Sequence, residues 1–267
     1  MADRGVHGII CGCDAAQEWL LDWWWSRYSE CNAFPVTFFD FGMSSEARKR
    51  CQKRGKLITL KNANQMAMFP YQGGGEQIVE FKRAHGEKMW EYRKAWFCKP
   101  LAMLQSPYER SLWLDLDCEV MQSLSPLVSF PLGETDFAAV RGFRCEDLPP
   151  YHQKVFFNSG VVLFKRGAKI IEKWARMALQ ENENYLGDDH ILSQLILRER
   201  LALTELPYEF NWHPGEGINF NALVVHWIGK EGKKYIKEKG GFKTVFKELY
   251  RVCQQMDEAR LQGKNYV

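Results

Sequence analysis

The sequence lacks any hydrophobic run that approaches the length of a membrane span. Its apolar stretch Leu20–Trp25 is too short to cross a bilayer, and Asp22 interrupts it. An N-terminal targeting signal, in which basic residues precede an apolar segment, is not visible either. We therefore expect no transmembrane segment and a cytoplasmic location, although a secreted effector would have the same features.

Cysteine motifs and a strong charge imbalance are lacking as well. The eight cysteines form no Cys-x-x-Cys pair and do not show the spacing of a disulfide-rich module, which favours a reducing compartment. The 36 basic and 33 acidic residues leave a net charge of +3, and only the stretch Lys230–Lys247 gathers basic side chains. We interpret that stretch as a solvated surface, so the sequence predicts no nucleic-acid partner.

Internal repeats, low-complexity linkers and a phosphate-binding P-loop are not found. Three successive glycines within Gln72–Glu76 are not followed by the Lys-Ser or Lys-Thr pair of a P-loop, so we interpret this segment as a mobile surface loop. With 46% hydrophobic residues, the chain can bury a sizeable core. We predict one domain over residues 1–267, in which 234–267 is a C-terminal helical tail.

Strand-like and helix-like segments alternate along the chain. Apolar runs predict strands at Val6–Cys13, Pro35–Phe39, Leu57–Leu60, Leu112–Val120, Phe137–Arg141, Phe156–Lys165, Leu203–Leu206 and Ala222–Trp227. Helical spacing predicts helices at Ala15–Tyr28, Ser44–Arg54, Glu87–Gln105, Ala168–Asn182, from the turn at 186–190 through Arg200, and at Lys243–Ala259. The alternation predicts an α/β fold with a mostly parallel central sheet and helices on both faces.

Two carboxylates interrupt the apolar segment Leu112–Val120. Asp115 and Asp117 are two positions apart, so on a continuous strand both face the same side. Burial of two like charges is costly unless a cation neutralises them, and carboxylate oxygens suit Mg²⁺ or Mn²⁺. Such a metal would hold a diphosphate. Alternatively, the strand ends here and both aspartates cap a turn; the segment alone leaves both interpretations open.

Polar side chains also mark other strand ends and one turn. Asp14 and Asp40 follow the first two predicted strands, and His226 lies near the end of a late strand. Asp188 and Asp189 lie in a turn that opens a helix. In an open α/β sheet, ligands bind beyond the carboxyl ends of the strands, so these groups are expected to converge on one cleft.

Four segments, in chain order, resemble motifs of the GT-A-fold glycosyltransferases. Leu112–Val120 resembles their Asp-x-Asp segment, and Phe157–Val161 resembles their Asn-Ser-Gly-Val strand. Gly187-Asp188-Asp189 resembles the Gly-Asp-Gln turn of the family-8 retaining, glycogenin-like enzymes, and Val224–Lys230 resembles their His-x-x-Gly motif. The resemblance spans about residues 6–233. It implies a GT-A (Rossmann-like nucleotide-diphospho-sugar transferase) fold and transfer of a sugar from a UDP-sugar to an acceptor hydroxyl, with retention.

The resemblance also implies a metal set. Asp115, Asp117 and His226 occupy the positions that bind Mn²⁺ in the family, and Mg²⁺ is the alternative ion. Two carboxylates and a neutral imidazole form an acceptable Mn²⁺ site. Lys99 stands where relatives carry a basic residue near the donor phosphate; its alternative is a surface lysine before Pro100.

The segment after His226 departs from the family pattern. The family's motif continues from the glycine, here Gly229, to a lysine three positions later, but that position holds Gly232. Lys230 and Lys233 flank it, and either is expected to contact the diphosphate. The sequence leaves open which of the two does so.

Nucleotide contacts are implied at the end of the first two strands. By the resemblance, Gly12, Asp14 and Asp40 lie where the family binds the donor nucleotide. For Asp14, a cap of the helix that follows is an equally good interpretation.

Donor-sugar contacts are implied for two further residues. Asn158 would face the donor sugar, with a strand irregularity as its alternative role. Asp188 would lie on the face of the sugar opposite the leaving group, as a nucleophile or as a group that orients hydroxyls. The family's following glutamine is Asp189 here, which adds a charge near the sugar.

Two alternatives belong to other functional classes. A phosphatase of the haloacid-dehalogenase type would use Asp115 and Asp117 in a DxDx(T/V) motif, with a later Gly-Asp-Asp. Against it, the fifth motif position is Glu119, and the motif lies in mid-chain rather than at the first strand. The other alternative is a non-catalytic sugar-nucleotide-binding protein on the same fold. In the transferase interpretation the acceptor, whether glycan, protein or lipid-linked, is not identified by the sequence.

Overall fold

Seven strands form the central sheet of the computed structural model, which describes residues 6–61, 66–142, 157–249 and 251. They are β1 (His7–Cys13), β2 (Val36–Asp40), β3 (Lys56–Thr59), β4 (Arg110–Leu114), β6 (Phe137–Arg141), β7 (Phe157–Lys165) and β8 (Thr204–Leu206). Two shorter strands, β5 (Cys118–Val120) and β9 (Val224–His226), form a separate small sheet. The α/β prediction with a mostly parallel sheet is confirmed.

Helices cover the sheet. They are α1 (Leu20–Ser29), α2 (Ser45–Arg54), α3 (Gly75–His85), α4 (Met89–Leu104), α5 (Ser125–Val128), α6 (Lys169–Gln180), α7 (Asp188–Glu199) and α8 (Gly229–Lys239), followed by a helical segment at 242–249. Short 3₁₀ helices lie at Asn182–Asn184, Tyr208–Asn211 and Pro214–Glu216. No helix among the described residues combines the length and apolar character that a bilayer crossing needs.

One strand runs against the direction of the other six. The sheet order is β3-β2-β1-β4-β7-β6-β8, and β7 is antiparallel to both of its neighbours, while the remaining pairs are parallel. The first residues of β7 therefore lie at the edge where β1 and β4 end. This reversal brings Asn158 and Ser159 next to the residues that follow β4, although more than forty positions separate them in sequence.

The predicted continuous strand Leu112–Val120 is wrong. Strand β4 ends at Leu114, the chain turns at 115–117, and β5 leaves the central sheet to pair with β9. The turn is closed by a hydrogen bond from the Cys118 amide to the Asp115 carbonyl, 3.0 Å, and the Asp115 amide bonds Gly160 at 2.9 Å. The two carboxylates consequently do not share one strand face but flank a turn. Asp115 pairs with Lys99 and Asp117 with Lys233, while both approach His226.

Other boundaries differ from the predictions for local reasons. Helix α1 begins at Leu20 rather than Ala15, since the Asp14 carboxylate accepts the amides of residues 16 and 17 and holds a turn there. The loop predicted at Gln72–Glu76 is wrong in its second half, because α3 begins at Gly75. The predicted tail helix Lys243–Ala259 is confirmed in part at 242–249 and 251, and its remainder lies outside the described residues.

The core lies on both faces of the sheet. Successive residues of a strand point to opposite faces, so Ile9 packs in the cluster that includes Trp24 of α1, while Ile10 packs in the cluster that includes Trp174 of α6. Each of these side chains is buried. The described cysteines are free thiols, as the sequence predicted, and most of them are buried in these clusters.

A buried carboxylate joins the C-terminal segment to the domain. Glu119 of β5 is fully buried and accepts the Trp227 indole N–H at 3.0 Å and the amides of Phe242 and Lys243 at 2.8 and 2.9 Å. Its Oε1 also lies 3.4 Å from the Arg27 guanidinium of α1. Glu119 therefore has a structural role, which explains a glutamate in this strand without a metal.

We expect Glu119→Gln to lower the free energy of unfolding by about 2–4 kcal/mol, because the amide NH₂ group would face N–H donors in a buried site. Urea unfolding of the two proteins measures the difference. Glu46→Gln, which alters an exposed glutamate of α2, is the matched control and should change stability by less than about 0.5 kcal/mol. A loss at Glu119 no larger than that of the control would contradict the assignment.

Candidate active site

Four chain segments meet at the edge of the sheet where β1 and β4 end. They are the 115–117 turn, the first residues of β7, the start of α7 and the end of β9. Their side chains line one cavity, to which helices α4 and α8 add Lys99 and Lys233. The residues from the four segments are Asp115, Asp117, Asn158, Asp188, Asp189 and His226. The structure thus brings together most of the residues that the sequence singled out.

Lys99 lies between two carboxylates. Its ammonium is 3.0 Å from Asp115 Oδ2 and 3.1 Å from Asp188 Oδ2, and it donates to the Ser159 hydroxyl at 2.9 Å. Only 5% of the side chain is exposed. Burial by itself lowers the pKa of the ammonium, but the two carboxylates outweigh burial and raise the pKa above its ordinary value. Lys99 is a charged buried group in the site, and its alternative interpretation as a surface lysine is wrong.

Asp117 is held between His226 and Lys233. Its Oδ1 is 3.2 Å from His226 Nε2, and its Oδ2 accepts from the Lys233 ammonium at 2.6 Å. Burial opposes ionisation, but the positive charge of Lys233 and the contact with His226 outweigh it and hold the pKa of Asp117 well below its ordinary range. The sequence did not decide which of the two lysines after His226 contacts the site. Lys233 faces the site, whereas Lys230 is exposed.

His226 and Asp117 lie at a spacing that suits neighbouring ligands of one cation, and Asp115 lies farther from His226. Adjacent ligands of a six-coordinate ion lie about 3 Å apart when metal–oxygen distances are about 2.1 Å. His226 Nε2 is 3.2 Å from Asp117 Oδ1 and 3.9 Å from Asp115 Oδ2. The cavity also holds four carboxylates against two ammonium groups, an excess of negative charge that a cation would offset.

Cys118, and not Asp115, belongs with Asp117 and His226 to the set of side chains that lie close enough together to share one metal ion. Ligand atoms of Asp117, Cys118 and His226 all lie within 4.8 Å of one another, and among the described residues this is the group of three that meets that spacing. Burial, reinforced by the charges of Asp117 and Asp115, raises the pKa of the Cys118 thiol well above its ordinary value. Without a metal this thiol stays protonated, whereas a metal ion that coordinates a thiol deprotonates it. The carboxylate and imidazole donors are the ones that suit Mn²⁺ or Mg²⁺.

Asp188 begins α7 and points into the same cavity. Its Oδ2 accepts from the Ser159 hydroxyl at 2.8 Å, and its carbonyl accepts from the Trp174 indole at 2.9 Å. Burial raises the pKa of Asp188 to about 6; Lys99 opposes this shift, and the neighbouring carboxylates of Asp189 and Asp115 add to it. The group therefore ionises near neutral pH, as a residue that takes part in chemistry often does.

The loop that leads into Asp188 is fixed from behind by α4. The guanidinium of Arg93, which is buried, donates to the carbonyls of Leu186, Asn182 and Tyr185 at 3.1, 2.8 and 2.6 Å. These carbonyls precede the helix, and Arg93 supplies them with donors from within the core. Helix α4 therefore supplies both Lys99 to the site and the support for Asp188.

The Asn-Ser-Gly motif needs a glycine at position 160 because the His226 ring packs directly against it. A Cβ atom at this position would lie 2.1 Å from Cε1 and 2.4 Å from Nδ1 of His226, closer than real Cβ atoms approach other atoms. The absent side chain is what allows the His226 ring to pack against β7. The motif thus shapes the imidazole site from a different strand.

We expect Gly160→Ala to displace the His226 ring and to weaken Mn²⁺ binding by about 10–100-fold, as loss of support for a metal ligand does. Titration of Mn²⁺ followed by electron paramagnetic resonance measures the affinity. Gly75→Ala is the control, since no atom lies within 4 Å of a Cβ there. Equal affinity in both variants would show that the ring does not depend on Gly160.

Of the residues predicted to bind the nucleotide at the ends of the first two strands, only Gly12 lines a cavity beside the site. Gly12 lines a small cavity next to the site, together with Cys13, Gln17 and Phe41. Asp14 instead holds the turn after β1 and does not cap a helix, because α1 begins only at Leu20, so its alternative interpretation as a helix cap is wrong.

Asp40 has structural partners. It is buried, accepts the amides of Gly42 and Met43 at 2.8 and 2.7 Å, and pairs with Arg48 at 2.6 Å. These contacts hold the start of α2. Neither Asp14 nor Asp40 is among the residues that line the cavities beside the site, so their nucleotide contacts stay predictions.

Three adjoining cavities form the cleft. The cavity at Gly12 and the carboxylate cavity are small, about 40 and 80 Å³, and they share Lys99, Asp115 and Lys233. A larger cavity of about 670 Å³ adjoins the second one through His226 and Gly229 and is lined mainly by apolar groups such as Ile218 and Tyr235. Asp115 and Asp117 line both small cavities, and His226 lines the carboxylate cavity and the large one.

Sequence reasoning missed two residues of the site. Ser159 contacts both Lys99 and Asp188, and its signal was present within the Asn-Ser-Gly motif. Asn211, which is fully buried, contacts His226 and Asn158. A single sequence gives no reason to select Asn211, because it lies in a segment without periodicity and next to no recognisable motif.

No family model and no curated protein matches this sequence. Solved structures do match. The apo glycosyltransferase GlyE of Streptococcus pneumoniae TIGR4 gives a TM-score of 0.54 at 19% identity, over 84% of this chain and 55% of GlyE. The galactosyltransferase LgtC in complex with donor and acceptor sugar analogs gives 0.53 at 17% identity, over 83% of this chain and 87% of LgtC. Mouse xyloside xylosyltransferase 1 gives 0.50 at 13% identity, over 82% and 97%.

These similarities establish the fold. The chain spans about half the length of GlyE and most of the length of LgtC, and the identities are below 20%. The protein therefore has the GT-A fold of these glycosyltransferases, as the motifs predicted. What it transfers is a separate question that its own residues must answer.

Proposed function

We propose that this protein is a metal-dependent glycosyltransferase that moves a sugar from a UDP-sugar to an acceptor hydroxyl, with retention of configuration. The observation that carries the proposal is the convergence of Asp115, Asp117 and His226 with two buried or half-buried lysines and Asp188 in one cleft of a GT-A fold. A cation site that adjoins both ammonium groups and a further carboxylate suits a nucleotide diphosphate next to a reacting sugar.

The diphosphate end of the donor would meet the positive groups of the cleft. Asp115, Asp117 and His226 would hold Mn²⁺ or Mg²⁺, which supplies positive charge against the leaving nucleotide when it is bound. Lys233 and Lys99 add two further positive charges from α8 and α4. Because both lysines are already paired with carboxylates of the site, they are oriented before the donor arrives.

The sugar end of the donor would lie against β7 and α7. Asn158 lines the cavity with its amide, and Asp188 presents a carboxylate whose pKa lies near neutral pH. In its ionised form Asp188 either attacks the anomeric carbon or orients the hydroxyls of donor and acceptor. Ser159 and Lys99 hold one of its oxygens, which fixes the direction in which the other points.

The sizes and linings of the cavities support a placement of the two substrates. The nucleoside belongs on the side of Gly12 and Phe41, and the acceptor belongs in the large cavity beyond His226. Ligand pockets for molecules of this size measure about 300–1,000 Å³, far more than the two small cavities. Helix α3, whose Phe81 and His85 line the carboxylate cavity, would therefore move when the donor binds.

Thermal unfolding separates the proposal from its rivals. We expect UDP with Mn²⁺ to raise the melting temperature, because a ligand that binds only the folded state stabilises it, whereas either component alone should do so much less. A phosphatase would instead release phosphate from a generic phosphomonoester, and this protein should not. The phosphatase alternative also lacks support from the fold comparisons, which place the chain among glycosyltransferase structures. Turnover of a UDP-sugar separates the transferase from a binding protein.

A further inference from the structure

Asn211 connects two residues of the cleft that come from different strands. It is fully buried at the end of the 3₁₀ helix Tyr208–Asn211. Its Oδ1 lies 3.0 Å from Nδ1 of His226, and its Nδ2 donates to Oδ1 of Asn158 at 2.8 Å. One amide therefore bridges the histidine of the proposed metal set and the asparagine next to the proposed donor sugar.

The backbone fixes which way each amide is turned. The Gly160 amide N–H donates to the side chain of Asn158 at 2.9 Å, so the atom that receives it must be the oxygen of Asn158. The same oxygen faces Asn211, which must therefore present its NH₂ group to it. The oxygen of Asn211 is then the atom that faces His226.

This orientation of Asn211 determines that one nitrogen of the His226 ring carries a hydrogen. An amide oxygen only accepts hydrogen bonds, so Nδ1 of His226 must carry a hydrogen. Nε2 is the nitrogen that faces Asp117, at 3.2 Å, and it is the one available to a metal. The backbone N–H of Gly160 on β7 thus orients the Asn158 amide, and Asn158 orients the Asn211 amide. Asn211 in turn determines which nitrogen of His226 is left for a metal.

The same network determines what Asn158 offers to a ligand. Its oxygen already receives two hydrogen bonds, from Gly160 and from Asn211. A molecule in the cavity that Asn158 lines therefore meets the NH₂ group, a donor, rather than the carbonyl. Hydroxyl or phosphate oxygens that accept hydrogen bonds are the matching chemistry.

We propose that Asn211 is the positioning residue that transmits the orientation of Asn158, set by the Gly160 amide, to the ring of His226 and so fixes its ligand-facing nitrogen. The position of Asn211 is itself rigid, because the next residue, Trp212, exchanges backbone hydrogen bonds with β9, from its amide to Val224 at 2.9 Å and from the His226 amide to its carbonyl at 2.7 Å. The function of Asn211 as a support for metal and donor sugar rests on the proposed transferase activity. The orientation of Asn211, Asn158 and His226 is independent of that activity.

The first test uses the metal-free protein. Nitrogen-15 NMR of the histidine rings, with His226 assigned by the loss of its signals in His226→Gln, reports which nitrogen is protonated. We expect Nδ1 to be protonated in the wild type and in Asn211→Asp, which keeps an oxygen toward the ring. In Asn211→Leu the hydrogen should move to Nε2, where Asp117 can accept it. A neutral wild-type ring that is protonated at Nε2 would overturn the proposal.

The second test measures Mn²⁺ affinity. Asn211→Leu should bind Mn²⁺ about 10–100-fold more weakly, as expected for loss of a group that orients a metal ligand. Asn211→Asp should bind as tightly as the wild type but turn over donor more slowly, since its second oxygen faces the oxygen of Asn158. Wild-type Mn²⁺ affinity in a folded Asn211→Leu would also overturn the proposal.

The two proposals fail in different ways. If the wild type neither binds Mn²⁺ nor turns over a UDP-sugar, the transferase proposal fails, and the NMR result still decides the orientation of His226. If turnover is present while Nδ1 carries no hydrogen, the role of Asn211 fails alone. Circular dichroism of each variant establishes that it is folded, and Asn211→Asp, with its nearly identical shape, is the variant least affected by misfolding.

Discussion

Asp117→Ala is expected to abolish Mn²⁺-dependent binding of UDP and to reduce hydrolysis of a UDP-sugar by at least about 1,000-fold. The carboxylate contacts His226 with one oxygen and Lys233 with the other, so its removal takes away a proposed metal ligand and releases both partners. Lys233 then lacks the charge that orients it toward the cleft. Isothermal titration of UDP in the presence of Mn²⁺, together with hydrolysis rates, measures the two losses.

The control for this variant is Asp22→Ala. Asp22 is a half-exposed carboxylate of α1 that pairs with Arg50 and Arg54, away from the cleft. Its loss should leave UDP binding and turnover unchanged. Full activity in Asp117→Ala would remove the metal assignment, and equal losses in both variants would indicate a general effect on folding.

Asp188→Asn should reduce turnover by about 100–1,000-fold while the affinity for the UDP-sugar changes little. The amide keeps the shape and the hydrogen bond from Ser159, but it loses the charge that faces the sugar. A residue that acts mainly in the transition state lowers kcat more than it weakens binding. Steady-state kinetics and donor titration separate these quantities, and equal losses in both would indicate a donor-binding role.

The same residue predicts a pH dependence. Because the pKa of Asp188 is raised to about 6, its ionised form is lost as the pH falls through that value, and turnover should decline on the acid side at saturating Mn²⁺. The small residual rate of Asp188→Asn should not show this decline. Asp189→Asn is the matched control: it keeps the Asp188 carboxylate and should keep an acid decline, shifted to lower pH because a charge that raises the pKa of Asp188 is removed.

The sequence predicted the fold class and the groups of the cleft because their signals are local. Apolar runs and helical spacing marked most strands and helices, and the motifs at Asp115, Asn158, Asp188 and His226 carry their residue types in adjacent positions. The structure brings these four residues to one cavity. The order of motifs along the chain was sufficient to predict the GT-A fold, which the solved structures confirm.

Features that depend on distant partners were not predictable. The apolar segment around Asp115 has strand character throughout, and only its pairing with Gly160 and with β9 shows where the chain turns. The choice between Lys230 and Lys233 depends on the start of α8 at Gly229, since a residue four positions later lies on the same helix face. The role of Asn211 depends on its contacts with His226 of β9 and Asn158 of β7, which come close to it only in the folded protein.

Helix α3 was missed for a different reason. Two glycines precede it and a third is its first residue, which is typical of a loop, and its own apolar residues are few. The helix is held by a small cluster in which Phe81 packs with Met89 and Leu186, so its stability comes from tertiary contacts rather than from propensity. This limited packing agrees with the movement that donor entry requires.

The central claim is that Asp115, Asp117 and His226 form a metal site that activates a nucleotide sugar. A panel of UDP- and GDP-sugars incubated with the wild-type protein, with and without Mn²⁺, tests it most directly through the release of free nucleotide. We expect release from at least one UDP-sugar that depends on Mn²⁺ and disappears in Asp117→Ala. Release that is unaffected by chelation of the metal, or that persists in Asp117→Ala, would contradict the account.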